Sequence, residues 1–206
     1  FIDREDLNQD DMAEKIIPEP EDVPVPRFIS GEKEVEEFSA TSYGTAMHSV
    51  MQYIDYGKCV DAASVEDEIH RLVTGCYISA EQAQLVDGKA IAAFFATPMG
   101  KRIQTGEGSR EFKFSILENA EAYGQDLNGE HVLLQGVVDC VLFEEDGITI
   151  LDFKTDRVTG DALLARAESY RPQVEAYAEA MCRIFRRPVK ETLLYFFHTG
   201  QFVGIH

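Results

Sequence analysis

Two largely apolar runs, 133–143 and 148–153, flank Glu145-Asp146-Gly147, and this arrangement constrains the chain more than any other feature. An aspartate–glycine step between apolar runs predicts a tight β-hairpin. Three groups interrupt the apolar pattern: Asp139, Asp152 and Lys154. Side chains alternate along a strand, so Asp152 and Lys154 share a face with Ile148 and Ile150. With Asp146-Gly147 as the loop, Glu145 pairs with Ile148 and Asp139 falls opposite Lys154, about 5 Å away. A loop longer by one residue would turn Asp139 to the other face.

Two carboxylates and an ammonium on an apolar sheet cost several kcal/mol unless they are compensated. One compensation is a buried Lys–Asp pair with a second aspartate at a strand end. The other is a divalent-metal site, since hard cations take carboxylate oxygens and leave room for water and phosphate. In that case the lysine serves as a point charge or general base beside the activated water.

The 206 residues, 45% hydrophobic and 10% aromatic, suffice for one sizeable core. No apolar run approaches the roughly 20 residues of a membrane span, and no signal peptide is evident. Phe1 in place of Met suggests a piece of a longer chain. Cys59, Cys76, Cys140 and Cys182 lack the close spacing of a zinc or iron–sulfur site and read as reduced thiols of a cytoplasmic protein.

A net charge of −18 opposes unaided binding to nucleic acid. Residues 1–38 carry 13 acidic and 4 basic groups, half of that net charge, while 98–206 hold 12 of the 19 Lys and Arg. The chain is therefore expected to need a partner or a larger assembly to bring a strand to it. With prolines at 18, 20, 24 and 26, residues 1–38 read as an acidic linker or arm, and 39–206 as the folded domain.

Spacing predicts a helix over 39–55, opening near Ser42 with Met47, Val50, Met51 and Ile54 inward. His48 lies beside that stripe, a place where a hydrogen-bonded core histidine is the usual occupant. Residues 61–104 read as helical packing, with Ser79…Gln82 a capping box and Thr97-Pro98 a helix start. Residues 109–117 alternate as a strand, 118–130 form a polar loop, and helices follow from Asp161 and Tyr170 before closing strands at 191–197 and 201–205. Gln173 and Tyr177 share a helix face. The Arg186-Arg187 pair reads as a carbonyl cap.

The string Gln135-Gly136-Val137-Val138-Asp139 followed by Asp152-Phe153-Lys154-Thr155-Asp156 resembles the core of PD-(D/E)XK nucleases, specifically the RecB-like branch, with Val138 replacing the proline of the motif name. Gly44-Thr45-Ala46-Met47-His48 is similar to the helix that precedes that core, and Gln173…Tyr177 to the motif that closes it. The resemblance extends to the large subunit of AddAB-type helicase–nucleases. It implies an α/β fold of the restriction-endonuclease type, a mixed central sheet flanked by helices. It also implies metal-dependent cleavage of DNA: His48, Asp139, Asp152 and the Phe153 carbonyl bind Mg²⁺ or Mn²⁺, and Lys154 orients or deprotonates the attacking water. Gln173 and Tyr177 assist catalysis, and Glu111 is a secondary candidate. The implied substrate is a DNA single strand delivered by a helicase, and the implied partner is a second, AddB-type subunit. Nothing in the chain supplies a P-loop, so ATP-driven unwinding belongs elsewhere. Two other readings stay open: a scaffold of the same fold without activity, and a free-standing single-strand exonuclease.

Overall fold

The computed structural model describes residues 35–119 and 131–205. Most of the acidic arm at 1–38 and of the polar loop at 118–130 lies outside these residues. The first described element, α1, spans Val35–Tyr53 and starts well before Ser42. The early turns contain no helix breaker, and the Thr45 hydroxyl donates to the Thr41 carbonyl (2.9 Å), which satisfies a β-branched polar residue inside the helix.

Four short helices follow: α2 (Ala62–Thr74), α3 (Ala80–Leu85), α4 (Gly88–Ala96) and α5 (Pro98–Thr105). Their starts are written in the sequence. Asp61 and Ser79 each form a reciprocal capping box, with Ser64 and Gln82, and Thr97 caps α5 with Pro98 in its first turn. Each such cap contributes about 1 kcal/mol.

Strands β1 (Glu107–Asn119), β2 (His131–Glu144) and β3 (Gly147–Lys154) form an antiparallel meander. Helices α6 (Asp161–Ser169) and α7 (Arg171–Phe185) then cross over to β4 (Val189–Phe196), which runs parallel to β3, and β5 (Gln201–Gly204) closes the edge antiparallel to β4. The sheet order β1-β2-β3-β4-β5 puts β3 in the centre, with all eight of its residues buried. Leu151, Phe153, Tyr195 and Phe197 pack on α1, α2 and α4, whereas Ile148, Ile150, Leu194 and Phe196 pack on α6 and α7. This is the mixed sheet with helices on both faces that the sequence implies.

Three local expectations need correction. The hairpin register is shifted by two residues: Glu144 pairs with Gly147 and Cys140 with Leu151, so Glu145-Asp146 form the loop and Asp139 stands level with Asp152, not Lys154. The reason is non-local. Gly147 (φ +155°) lies against the start of β4, where an added Cβ would stand 2.7 Å from the Pro188 carbonyl. That carbonyl accepts from the Ile148 amide at 2.8 Å. A shift by an even number preserves the faces, so the grouping of acids and amine survives it.

Second, the apolar run 133–143 does not make β2 a doubly covered strand throughout; its first half is exposed or half-buried, and Val138 packs with Val141 on the α6–α7 side while Cys140 and Leu142 pack on the other. Third, Arg187 caps carbonyls of the β2–β3 turn, Glu144 and Glu145, not those of its own helix. All four cysteines are free, two buried and two exposed. No described helix is long and apolar enough to cross a membrane.

Candidate active site

The β1–β2 ribbon reverses its faces at one point, and the site forms there. Glu111 takes a left-handed backbone conformation (φ 49°), which a residue with a Cβ adopts only at a cost. The ladder pairs Arg110 with Cys140 and Phe112 with Val138, and leaves Glu111 and Asp139 facing each other between them. Residues of one parity therefore face α1–α5 before this step and α6–α7 after it. Local strain is stored where the two carboxylates meet.

The chain places one ligand-type side chain from each neighbouring element around that step. His48 on α1 brings Nδ1 to 3.4 Å from Asp139 Oδ1. His48, Glu111 and Asp139 each offer a donor atom within 4.8 Å of the other two. The second Asp139 oxygen accepts from the Phe153 amide at 2.7 Å, a side chain standing in for a ladder bond and fixing the carboxylate's orientation. Glu111, the secondary candidate, is thus one of the three residues of this group.

Asp152 stands outside that triplet, buried at the centre of the sheet. Lys154 Nζ lies 2.6 Å from Asp152 Oδ2. The contact is a close, buried ion pair between the two side chains. Lys154 is itself enclosed: its ammonium lies 3.7 Å from the centre of the Tyr170 ring and donates to Gln173 Oε1 (3.2 Å). Gln173 Nε2 in turn donates to Tyr177 OH (2.7 Å). A chain of contacts runs from α7 through the lysine to the buried acid.

Charge states follow from this packing. Burial and the Asp139 carboxylate push the Asp152 carboxyl up to about 6, with Lys154 and His48 opposing. Burial also raises Glu111, and Asp139 adds to it. Burial alone would lower His48, but its bond to Asp139 outweighs that and leaves it raised. Two acids held above their ordinary range beside a third carboxylate are a site short of positive charge. Three carboxylates and one imidazole are a donor set that suits a hard divalent cation.

Comparison with known proteins gives this geometry a family. Residues 26–203 match the PD-(D/E)XK nuclease superfamily. The chain belongs to that superfamily. Among individual proteins, it is 38% identical over 191 residues to an ATP-dependent helicase/nuclease subunit of Geobacillus thermodenitrificans, covering 87% of this chain and 15% of that protein. The corresponding subunit of Anoxybacillus flavithermus is 37% identical over 175 residues, 84% of this chain and 14% of that protein. That of Bacillus mycoides is 35% identical over 191 residues, 87% of this chain and 15% of that protein. The chain thus spans about one-seventh of the length of these relatives.

In this PD-(D/E)XK nuclease-superfamily domain, Asp139 stands on β2 and Asp152 and Lys154 on the adjacent β3. Two residues that complete the arrangement carried no role of their own in the sequence reading. Tyr170, which walls in the Lys154 ammonium, sits at a helix junction where no periodicity marks it. Gly136 leaves room for the Tyr177 ring: an added Cβ would stand 2.7 Å from Phe114 and 3.0 Å from Tyr177. Gly44, by contrast, makes room for the Thr155 hydroxyl, 3.0 Å from where its Cβ would be.

Proposed function

We propose that residues 39–206 form a metal-dependent deoxyribonuclease domain, joined through the acidic segment 1–38 to an ATP-dependent helicase–nuclease that processes DNA breaks for recombinational repair. The observation that carries this reading is the gathering of His48, Glu111 and Asp139, each with a donor atom within 4.8 Å of the other two, beside the buried Asp152–Lys154 pair. A buried Lys–Asp pair alone gives no reason for two further carboxylates and an imidazole to meet beside it. His48, Asp139, Asp152 and the Phe153 carbonyl would hold Mg²⁺, with Mn²⁺ as a substitute and Glu111 as a further ligand. Such a cation, when bound, offsets charge on the phosphate oxygens and acidifies water.

The protein's own groups do the rest. As the ammonium, Lys154 orients the attacking water beside the acid pair; as the neutral amine it would take that water's proton. Gln173 and Tyr177 hold that ammonium against Asp152, and the Phe153 amide keeps one Asp139 oxygen turned away so that the other faces the ligand group. The net negative charge supports weak binding at physiological salt, so a helicase and a second, AddB-type subunit deliver a single strand to the site in the cytoplasm, and exonucleolytic cutting follows.

The test is cleavage of a labelled single-stranded oligonucleotide by the full chain with Mg²⁺. Cutting that disappears with EDTA and in Asp139→Ala supports the reading. Cutting that persists in Asp139→Ala, or none at any Mg²⁺ or Mn²⁺ concentration, overturns it in favour of a scaffold.

A further inference from the structure

A cleft of about 500 Å³ opens beside the acid pair, lined among others by Tyr43, His48, Lys154, Arg157, Arg166 and Tyr170. Three of these carry fixed positive charge, and they are not equivalent. Lys154 is paired with Asp152 at 2.6 Å. Arg166 donates to Asp156 at 2.7 Å, and Tyr170 OH bonds the same carboxylate at 2.9 Å, so this arginine braces the wall. Arg157 is exposed, and among the described residues no carboxylate lies within ion-pairing distance of it. Its guanidinium carbon lies 5.7 Å from the centre of the Tyr43 ring, near the outer limit of a cation–π contact.

In a chain of net charge −18, an unneutralised arginine three residues past the lysine, at the mouth of this cleft, is poised for an anion. The half-buried tyrosine beside it offers an aromatic face. A guanidinium for phosphate next to a ring for an unpaired base is the chemistry that binds single-stranded nucleic acid. A duplex would offer the phosphate but not the base face. We infer that Arg157 and Tyr43 form a subsite for single-stranded DNA flanking the scissile phosphate, Arg157 taking a backbone phosphate and Tyr43 stacking one base. The loose contact between the two side chains costs little to open when a strand enters. This inference rests on the nuclease reading and names where the strand lies.

The experiment uses the full chain in EDTA at low ionic strength, with a fluorescent oligothymidylate followed by anisotropy over a range of salt. Loss of one charge-assisted contact is expected to weaken binding about tenfold in Arg157→Gln and to reduce the log–log salt slope by about 0.7. Tyr43→Phe is expected to bind like the wild type, and Tyr43→Ala to lose about tenfold on the single strand with duplex binding unchanged. With Mn²⁺ present, Arg157→Gln is expected to raise KM more than it lowers kcat. Both side chains lie at the surface of the cleft, and circular dichroism confirms that the variants fold. Binding and salt slope indifferent to Arg157 in a protein that still cuts overturn this inference alone. Wild-type protein that neither binds nor cuts single strands overturns it together with the nuclease reading.

Discussion

Asp152 carries its charge at a cost set by its surroundings, and that cost can be measured. Burial and Asp139 move its carboxyl from 3.8 up to about 6. The difference corresponds to about 3 kcal/mol in favour of the neutral form. Because the folded value lies above the unfolded one, the folded protein takes up the proton first as pH falls. The resulting stability is present at low pH and is lost as pH rises through about 6; about 2 kcal/mol of it is in place by pH 4.

Other carboxylates act in the opposite sense. Burial would raise Glu144, but Arg102, Thr149 and Lys190 hold it at about 2, so the wild-type pH profile alone mixes both effects. The difference between wild type and Asp152→Asn isolates the one group. Urea unfolding in EDTA from pH 4 to pH 7 is expected to show that difference shift by about 2 kcal/mol, with the wild type favoured at pH 4. In melting temperature this is about 4–8 °C for a chain of this size. Mn²⁺ added at pH 7 is expected to stabilise the wild type more than the variant. A difference that stays flat across this range would refute the claim that Asp152 is held ionised against its surroundings.

Other perturbations have equally definite outcomes. Gly136→Ala forces the Phe114 and Tyr177 rings apart, costing about 1–3 kcal/mol in unfolding experiments, and lowers kcat because Tyr177 holds Gln173 against Lys154. Arg102→Met breaks bonds to Glu144 (2.8 Å), Glu191 (3.0 Å) and Thr149 (3.2 Å) at the far end of the hairpin. It is expected to lose about 1–2 kcal/mol of stability with kcat unchanged, since half-exposed pairs contribute less than buried ones. His48→Ala leaves the fold intact and weakens Mn²⁺ affinity about tenfold or more by calorimetry. An unaltered affinity would mean that the histidine only braces Asp139.

The parts of the fold that short-range rules govern were legible in the chain. Ser79…Gln82 and Thr97-Pro98 mark helix starts because a cap needs only its own turn, and Asp139, Asp152 and Lys154 stand out because alternation gives each charge a face. What escaped depends on distant partners. The hairpin register is tied to Pro188, far along the chain, whose carbonyl accepts from the Ile148 amide. The reversal at Glu111 requires a backbone conformation that no residue type announces in a glutamate. Tyr170 and Gly136 matter through what they touch, Lys154 and Tyr177, and neither contact leaves a period or a spacing. His48 illustrates the middle case: spacing gave its helix, whereas only the resemblance put it with Asp139, the carboxylate it faces at 3.4 Å.

The most direct measurement is an anomalous difference map from crystals of the chain soaked in Mn²⁺ near pH 7. The expected result is a peak at about 2.0–2.3 Å from oxygens of both Asp139 and Asp152, with His48 within ligating distance and Lys154 turned toward the same point. A map without a peak between those two carboxylates, at Mn²⁺ concentrations that support cutting, would contradict the assignment of this site as the nuclease centre.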